Sequence, residues 1–112
     1  MAKNLISEGK IMPFTCTADI ESGKGLKIGQ TFGVTAGKYS NGDTDCQMYL
    51  TGVWELKKKT ADTPAVGAKL YWDDTLKELT TTVGTNKLVA VAWEAAGGSD
   101  TVVKARLIQN GL

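Results

Sequence analysis

Histidine is absent from this chain of 112 residues. That removes the commonest general base near neutral pH and the commonest zinc ligand, so neither Ser-His-Asp catalysis nor histidine-based metal hydrolysis is open to it. Cysteine is nearly as scarce. Cys16 and Cys46 are too few and too far apart for a zinc site or a Cys-x-x-Cys redox motif. Each reads as a small apolar strand residue in the core, with a disulfide between them as the minor alternative. Charge of one sign is missing too: 13 basic residues stand against 12 acidic ones. No field is left to draw in nucleic acid or an anionic membrane. The longest apolar run, Leu88 to Trp93, falls well short of the roughly 20 residues that span a bilayer. Near the start, Leu5-Ile6 gives way at once to Ser7-Glu8-Gly9-Lys10, which is not the apolar core of a secretory signal.

What is present is β-structure in short pieces. From Lys87 to Trp93 the alternation puts Val89, Val91 and Trp93 on one face and Leu88, Ala90 and Ala92 on the other. With both faces apolar, this strand is expected to be central and Trp93 to lie in the core. From Thr101 to Ile108, Val103, Ala105 and Leu107 point one way and Lys104 and Arg106 the other, so one face is wet. Ile11 to Ala18 alternates as well, with Met12, Phe14 and Cys16 on one side, but Pro13 cannot donate to a central ladder and implies an edge. Two extended pieces flank Gly29, with Phe32 and Val34 as the inward pair, and 37–45 is a polar loop. Cys46 to Leu56 is the longest alternation, carrying Cys46, Met48, Leu50, Trp54 and Leu56 on one face; Gly52 inside it marks a bulge or bend.

With 13 glycines, many threonines and 2 prolines, this pattern predicts an all-β fold, a small single-domain β-sandwich or partly open β-barrel. The expected organisation is an N-terminal arm over 1–10 and one β domain over 11–112. The expected core comprises Phe14, Phe32, Met48, Leu50, Trp54, Val89, Val91, Trp93, Val103 and Leu107. Asp73-Asp74 is the one carboxylate pair that catches the eye, and it reads as a turn capped by an aspartate rather than as a metal site. Lys57-Lys58-Lys59 reads as a solvated connection after a strand. No catalytic residue, cofactor or metal is expected.

The order of these motifs resembles something specific. An extended segment ending Tyr71-Trp72-Asp73, a Leu79-Thr80-Thr81-Thr82 strand, a Gly84-Thr85-Asn86 turn, the Leu88 to Ala92 strand, a Gly-rich gap with Asp100-Thr101 and a closing Val103 to Leu107 look like the small capsid cement, or decoration, proteins of tailed bacteriophages. Met1-Ala2-Lys3-Asn4 followed by Gly9 also looks like that family. The resemblance implies a non-enzymatic protein, made in the bacterial host cytoplasm, that sits on the outer surface of the virion head and bridges major capsid subunits. It implies a closed oligomer, a trimer in preference to a dimer, with no small-molecule substrate. Lys3, Asn4, Leu5 and Ile6 of the arm, which reads equally as a frayed terminus or a first edge strand of the same domain, and Tyr49 on an otherwise polar strand face, are the candidate capsid or subunit contacts.

Members of that family have often been labelled predicted RecA/RadA-type phage recombinases. Such an ATPase needs G-x-x-x-x-G-K-[ST], and every Gly-Lys here fails it: Gly9-Lys10 is followed by Ile11, Gly23-Lys24 by Gly25 and Gly37-Lys38 by Tyr39. The label does not fit. Other readings remain open on composition: a phage tail or baseplate module, a small carbohydrate-binding β domain, and a small nucleic-acid-binding β-barrel, the last opposed by the balanced charge.

Overall fold

A computed structural model describes residues 10–29 and 31–108, and among them every regular element is a strand. The strands are β1 (Ile11–Phe14), β2 (Gly25–Ile28), β3 (Thr31–Thr35), β4 (Cys46–Tyr49), β5 (Val53–Lys57), β6 (Lys69–Asp73), β7 (Glu78–Thr80), β8 (Lys87–Ala92) and β9 (Val102–Leu107). They form two antiparallel sheets, one ordered β1-β4-β3-β2 and the other β5-β9-β8-β6-β7. The all-β single domain is therefore as the strand pattern predicts. Pro13 lies on an edge strand, and β8 is the middle strand of its sheet.

The long alternation from Cys46 to Leu56 is split. Its first half, β4, belongs to the four-stranded sheet, and its second half, β5, to the other. Gly52 makes the corner: at φ 106° it occupies a backbone region that costs a side-chain-bearing residue energy, and its carbonyl accepts from Leu107 N–H at 3.0 Å. Alternation survives the corner, so Cys46 and Met48 are buried in one sheet and Leu56 in the other, while Leu50 at the bend is half-buried.

The five-stranded sheet curls until its two ends meet. Lys58 makes a parallel bridge with Leu79 of β7, and Lys59 N–H donates to the Leu79 carbonyl at 2.8 Å. Inside the curl lie Leu56, Leu70, Trp72, Leu79, Val89, Ala90, Ala92, Val103, Ala105 and Leu107. Phe32 and Val34 join this core from the four-stranded sheet, Phe32 packing on Trp72 with ring centroids 4.9 Å apart. That contact demands glycine at 25, where a Cβ would fall 2.8 Å from both rings.

The seam overturns the reading of the lysine run. Lys57 and Lys59 are exposed, but Lys58 is only 2 % exposed. Its ammonium donates to three backbone carbonyls, those of Lys59 (3.0 Å), Thr60 (2.9 Å) and Asp62 (2.7 Å). The loop after β5 wraps round the charge because an ammonium taken out of water must have its donors satisfied.

Asp62 then ties the same loop to β7. Burial alone would raise its pKa, but hydrogen bonds from Thr80 Oγ1 at 2.6 Å and Thr81 N–H at 2.9 Å, with the nearby Lys59 charge, hold it below the ordinary aspartate range. Asp74 is lowered as well, chiefly by Lys77 at 2.8 Å and against the effect of burial, with help from the Trp72 indole N–H. A depressed carboxyl contributes stability that is complete above its unfolded pKa, about 4, and is lost as pH falls through the folded value. Urea melts should therefore weaken below about pH 4, and Asp62→Asn should lessen that acid dependence. An unchanged acid slope in Asp62→Asn would show that the Asp62 carboxylate contributes none of it.

Candidate docking face

The pairing of β8 decides which side chains reach solvent. Against β6 it runs Lys69 with Val91 and Leu70 with Ala90, then jumps to Tyr71 with Leu88 and Trp72 with Lys87, leaving Val89 as an extra residue. A bulge of this kind breaks the two-residue alternation, so side chains beyond it exchange faces. Val89, Ala90 and Ala92 are buried, Val91 is half-buried and Trp93 is 54 % exposed. Trp93 is thus not a core residue. The simple alternation is right up to Val89 and inverted after it, and the bulge gives no signal in the residue types.

Trp93 continues the β8–β9 ladder, its N–H donating to the Lys104 carbonyl at 2.8 Å. Two rows of side chains result across the outer face of the sheet. One runs Val53, Arg106, Val91 and Lys69 over four strands; the next runs Glu55, Lys104 and Trp93. Lys57 and Val102 pair at the margin. Val53 and Val102, 41 % and 40 % exposed, add apolar surface to the same face. Lys104 holds Glu94 at 3.2 Å and Lys57 holds Glu78 at 3.8 Å, whereas Arg106 and Lys69 have no carboxylate partner among the described residues.

A second feature is an open cleft of about 850 Å³ between β2 and the end of the curled sheet, with Leu26, Ile28, Leu56 and Trp72 among its walls. Its charged rim is mixed, Lys24, Lys27, Lys57 and Lys77 alternating with Asp19, Glu21, Glu55 and Asp74. The Cys16 thiol on its wall donates to the Ala18 carbonyl rather than to a side-chain base, and no group of three His, Cys, Asp or Glu side chains among the described residues is placed to hold a metal.

The other expected site residues fall as follows. Lys3, Asn4, Leu5 and Ile6 lie outside the described residues. Tyr49 is half-buried, and one side of its ring is covered by Trp54, stacked at 5.2 Å and 24°. Phe32, Met48, Val89, Val103 and Leu107 are buried; Phe14 and Trp54 are half-buried, Phe14 edge-on to Tyr39. Asp73 Oδ1 accepts the N–H groups of Thr75 and Leu76, both at 3.0 Å, which is the capped turn expected of this pair. Cys16 and Cys46 are free and buried, and burial first of all, with the adjacent Cys16 also raising it, pushes the Cys46 thiol up. Missed altogether were Arg106 as part of an outward cluster and Lys58 as a buried cation.

Against this geometry stand the comparisons with known proteins. No curated protein matches the chain. Among solved structures, the base of the head fiber gp8.5 from bacteriophage phi29 is similar in fold, with a TM-score of 0.52 at 14 % identity, over 91 % of this chain and 96 % of that one. The family model for phage cement proteins matches residues 6–107, nearly the whole sequence and all nine strands. An all-β body of two antiparallel sheets, carrying no catalytic constellation among its described residues and matched over that length, belongs to the phage cement protein family, a structural and non-enzymatic one.

Proposed function

We propose that many copies of this chain dock on the outer surface of a phage head and bridge neighbouring major capsid subunits. The observation that carries this reading is the family match over residues 6–107. The phi29 neighbour, itself the base of a head fiber, adds that a body of this fold serves at a phage head. The physical logic is mass action. A ligand that binds only the assembled shell stabilises it by about 2.7 kcal/mol per site when free ligand stands at about 100 times its dissociation constant. Repeated over a lattice, that increment resists the pressure of packaged DNA. Bridging a symmetric lattice favours a closed oligomer, and a trimer on a three-fold axis satisfies this more simply than a dimer. The chain is made in the host cytoplasm and acts on the virion exterior.

The test uses purified chain and heads of the parent phage prepared without it. Binding to expanded heads should far exceed binding to free capsid subunits, because a bridging site exists only where subunits meet. Heads lacking the chain should rupture at lower temperature and recover on its addition. Copurification with tail tubes instead, or tight binding to single-stranded DNA at physiological salt, would replace this reading with the corresponding rival.

A further inference from the structure

Granting the cement reading, on which this step rests, we infer that the outer sheet face around Trp93 is the surface that docks, and that its partner is an acidic patch of the shell with an apolar socket for the indole. Trp93 is 54 % exposed at the end of a central strand, where its backbone is held in the ladder. A large aromatic left in water on a rigid element has little rotamer freedom to lose on binding, and tryptophan and arginine dominate the residues that carry interface energy. Arg106 lies in the row beside it, one strand over, between Val53 and Val91. Apolar contacts and a guanidinium thus share one patch.

Charge selects the occupant. The chain as a whole carries a formal charge of +1; in the two rows Lys104 is held by Glu94, which leaves Arg106 and Lys69 against Glu55. Arg106 and Lys69 have no carboxylate partner among the described residues, so their charge is available to an incoming group. A second copy laid face to face would oppose two faces that each carry a net positive charge, which disfavours pairing. Nucleic acid fits poorly too, because the cations are few and interleaved with Glu55 and apolar side chains rather than lined along a groove. A protein surface presenting carboxylates opposite Arg106 and Lys69, around an apolar hollow for the indole, complements the groups left without partners.

The experiment compares head binding by the full chain and by Trp93→Ala, Arg106→Glu and Val83→Ala, the last an exposed apolar residue in the β7–β8 loop. Each variant is first melted to establish that it folds. Trp93→Ala should bind heads roughly 30-fold more weakly, Arg106→Glu at least about tenfold more weakly, and Val83→Ala as wild type does. Raising salt should weaken wild-type binding and leave Arg106→Glu little changed. If folded Trp93→Ala and Arg106→Glu bound as wild type does while wild type bound heads well, the choice of face would be wrong and the cement reading would stand. Failure of wild type itself to bind heads would defeat both. Self-association of the free chain abolished by Arg106→Glu, or competition by DNA for the same face, would overturn the choice of an acidic shell patch as occupant.

Discussion

Lys58→Met should lower the stability of this chain by about 1 to 3 kcal/mol, read as a drop in the urea midpoint at neutral pH. Methionine keeps the unbranched stem and deletes the ammonium, so the change isolates the charge. Three carbonyls accept from that ammonium, at 3.0, 2.9 and 2.7 Å; without it the Lys59 carbonyl would keep Asp62 N–H at 3.1 Å, and those of Thr60 and Asp62 would lose this donor. Hydrogen bonds to a charged group contribute about 1.5 to 3 kcal/mol each, and the cost of dehydrating the lysine offsets part of their sum. Lys59→Met, one residue along and exposed, should change stability by less than about 0.5 kcal/mol. Equal midpoints for the two variants would show that the carbonyl cage contributes nothing.

Trp72→Ala should cost about 3 to 5 kcal/mol, as expected for deleting a large buried aromatic. Its ring, 3 % exposed, joins the two sheets by packing on Phe32 and against the bare Cα of Gly25, and its indole N–H donates to Asp74 at 3.0 Å. Trp72 meets Phe32 across the two sheets, so the cavity would lie between the layers. Trp93→Ala is the informative contrast, with a loss under about 1 kcal/mol because over half of that side chain is already in water. Fluorescence separates them independently: acrylamide should quench Trp93 readily and Trp72 hardly at all. A Trp93→Ala variant as unstable as Trp72→Ala would return Trp93 to the core and remove the docking face.

Much of this was legible in the amino-acid sequence, and for a physical reason. Side-chain alternation reports which face of a strand is buried, and that is local information. It located the strands, placed Pro13 on an edge, paired Phe32 with Val34 inward, and set Val103 and Leu107 opposite Lys104 and Arg106. The absent histidines excluded histidine-based catalysis, and the failed Gly-Lys loops a phosphate-loop ATPase, without any structure, because each chemistry needs particular groups. The ordered series of C-terminal motifs was enough to point to the family.

Tertiary structure alone decided the rest. One unpaired residue at Val89 inverts the faces of β8, and it is visible only in register with β6, so a core tryptophan by alternation becomes a surface one in fact. Lys58 was hidden among three like residues, since what distinguishes it is not its type but the return of the chain over it, through carbonyls that belong to the backbone and have no letter in the sequence. The same holds for Arg106: alternation shows that it points outward, but only the pairing of β5, β9 and β8 sets it among Val53, Val91 and Trp93. A docking surface is assembled across strands distant in sequence, and its composition is a property of their register.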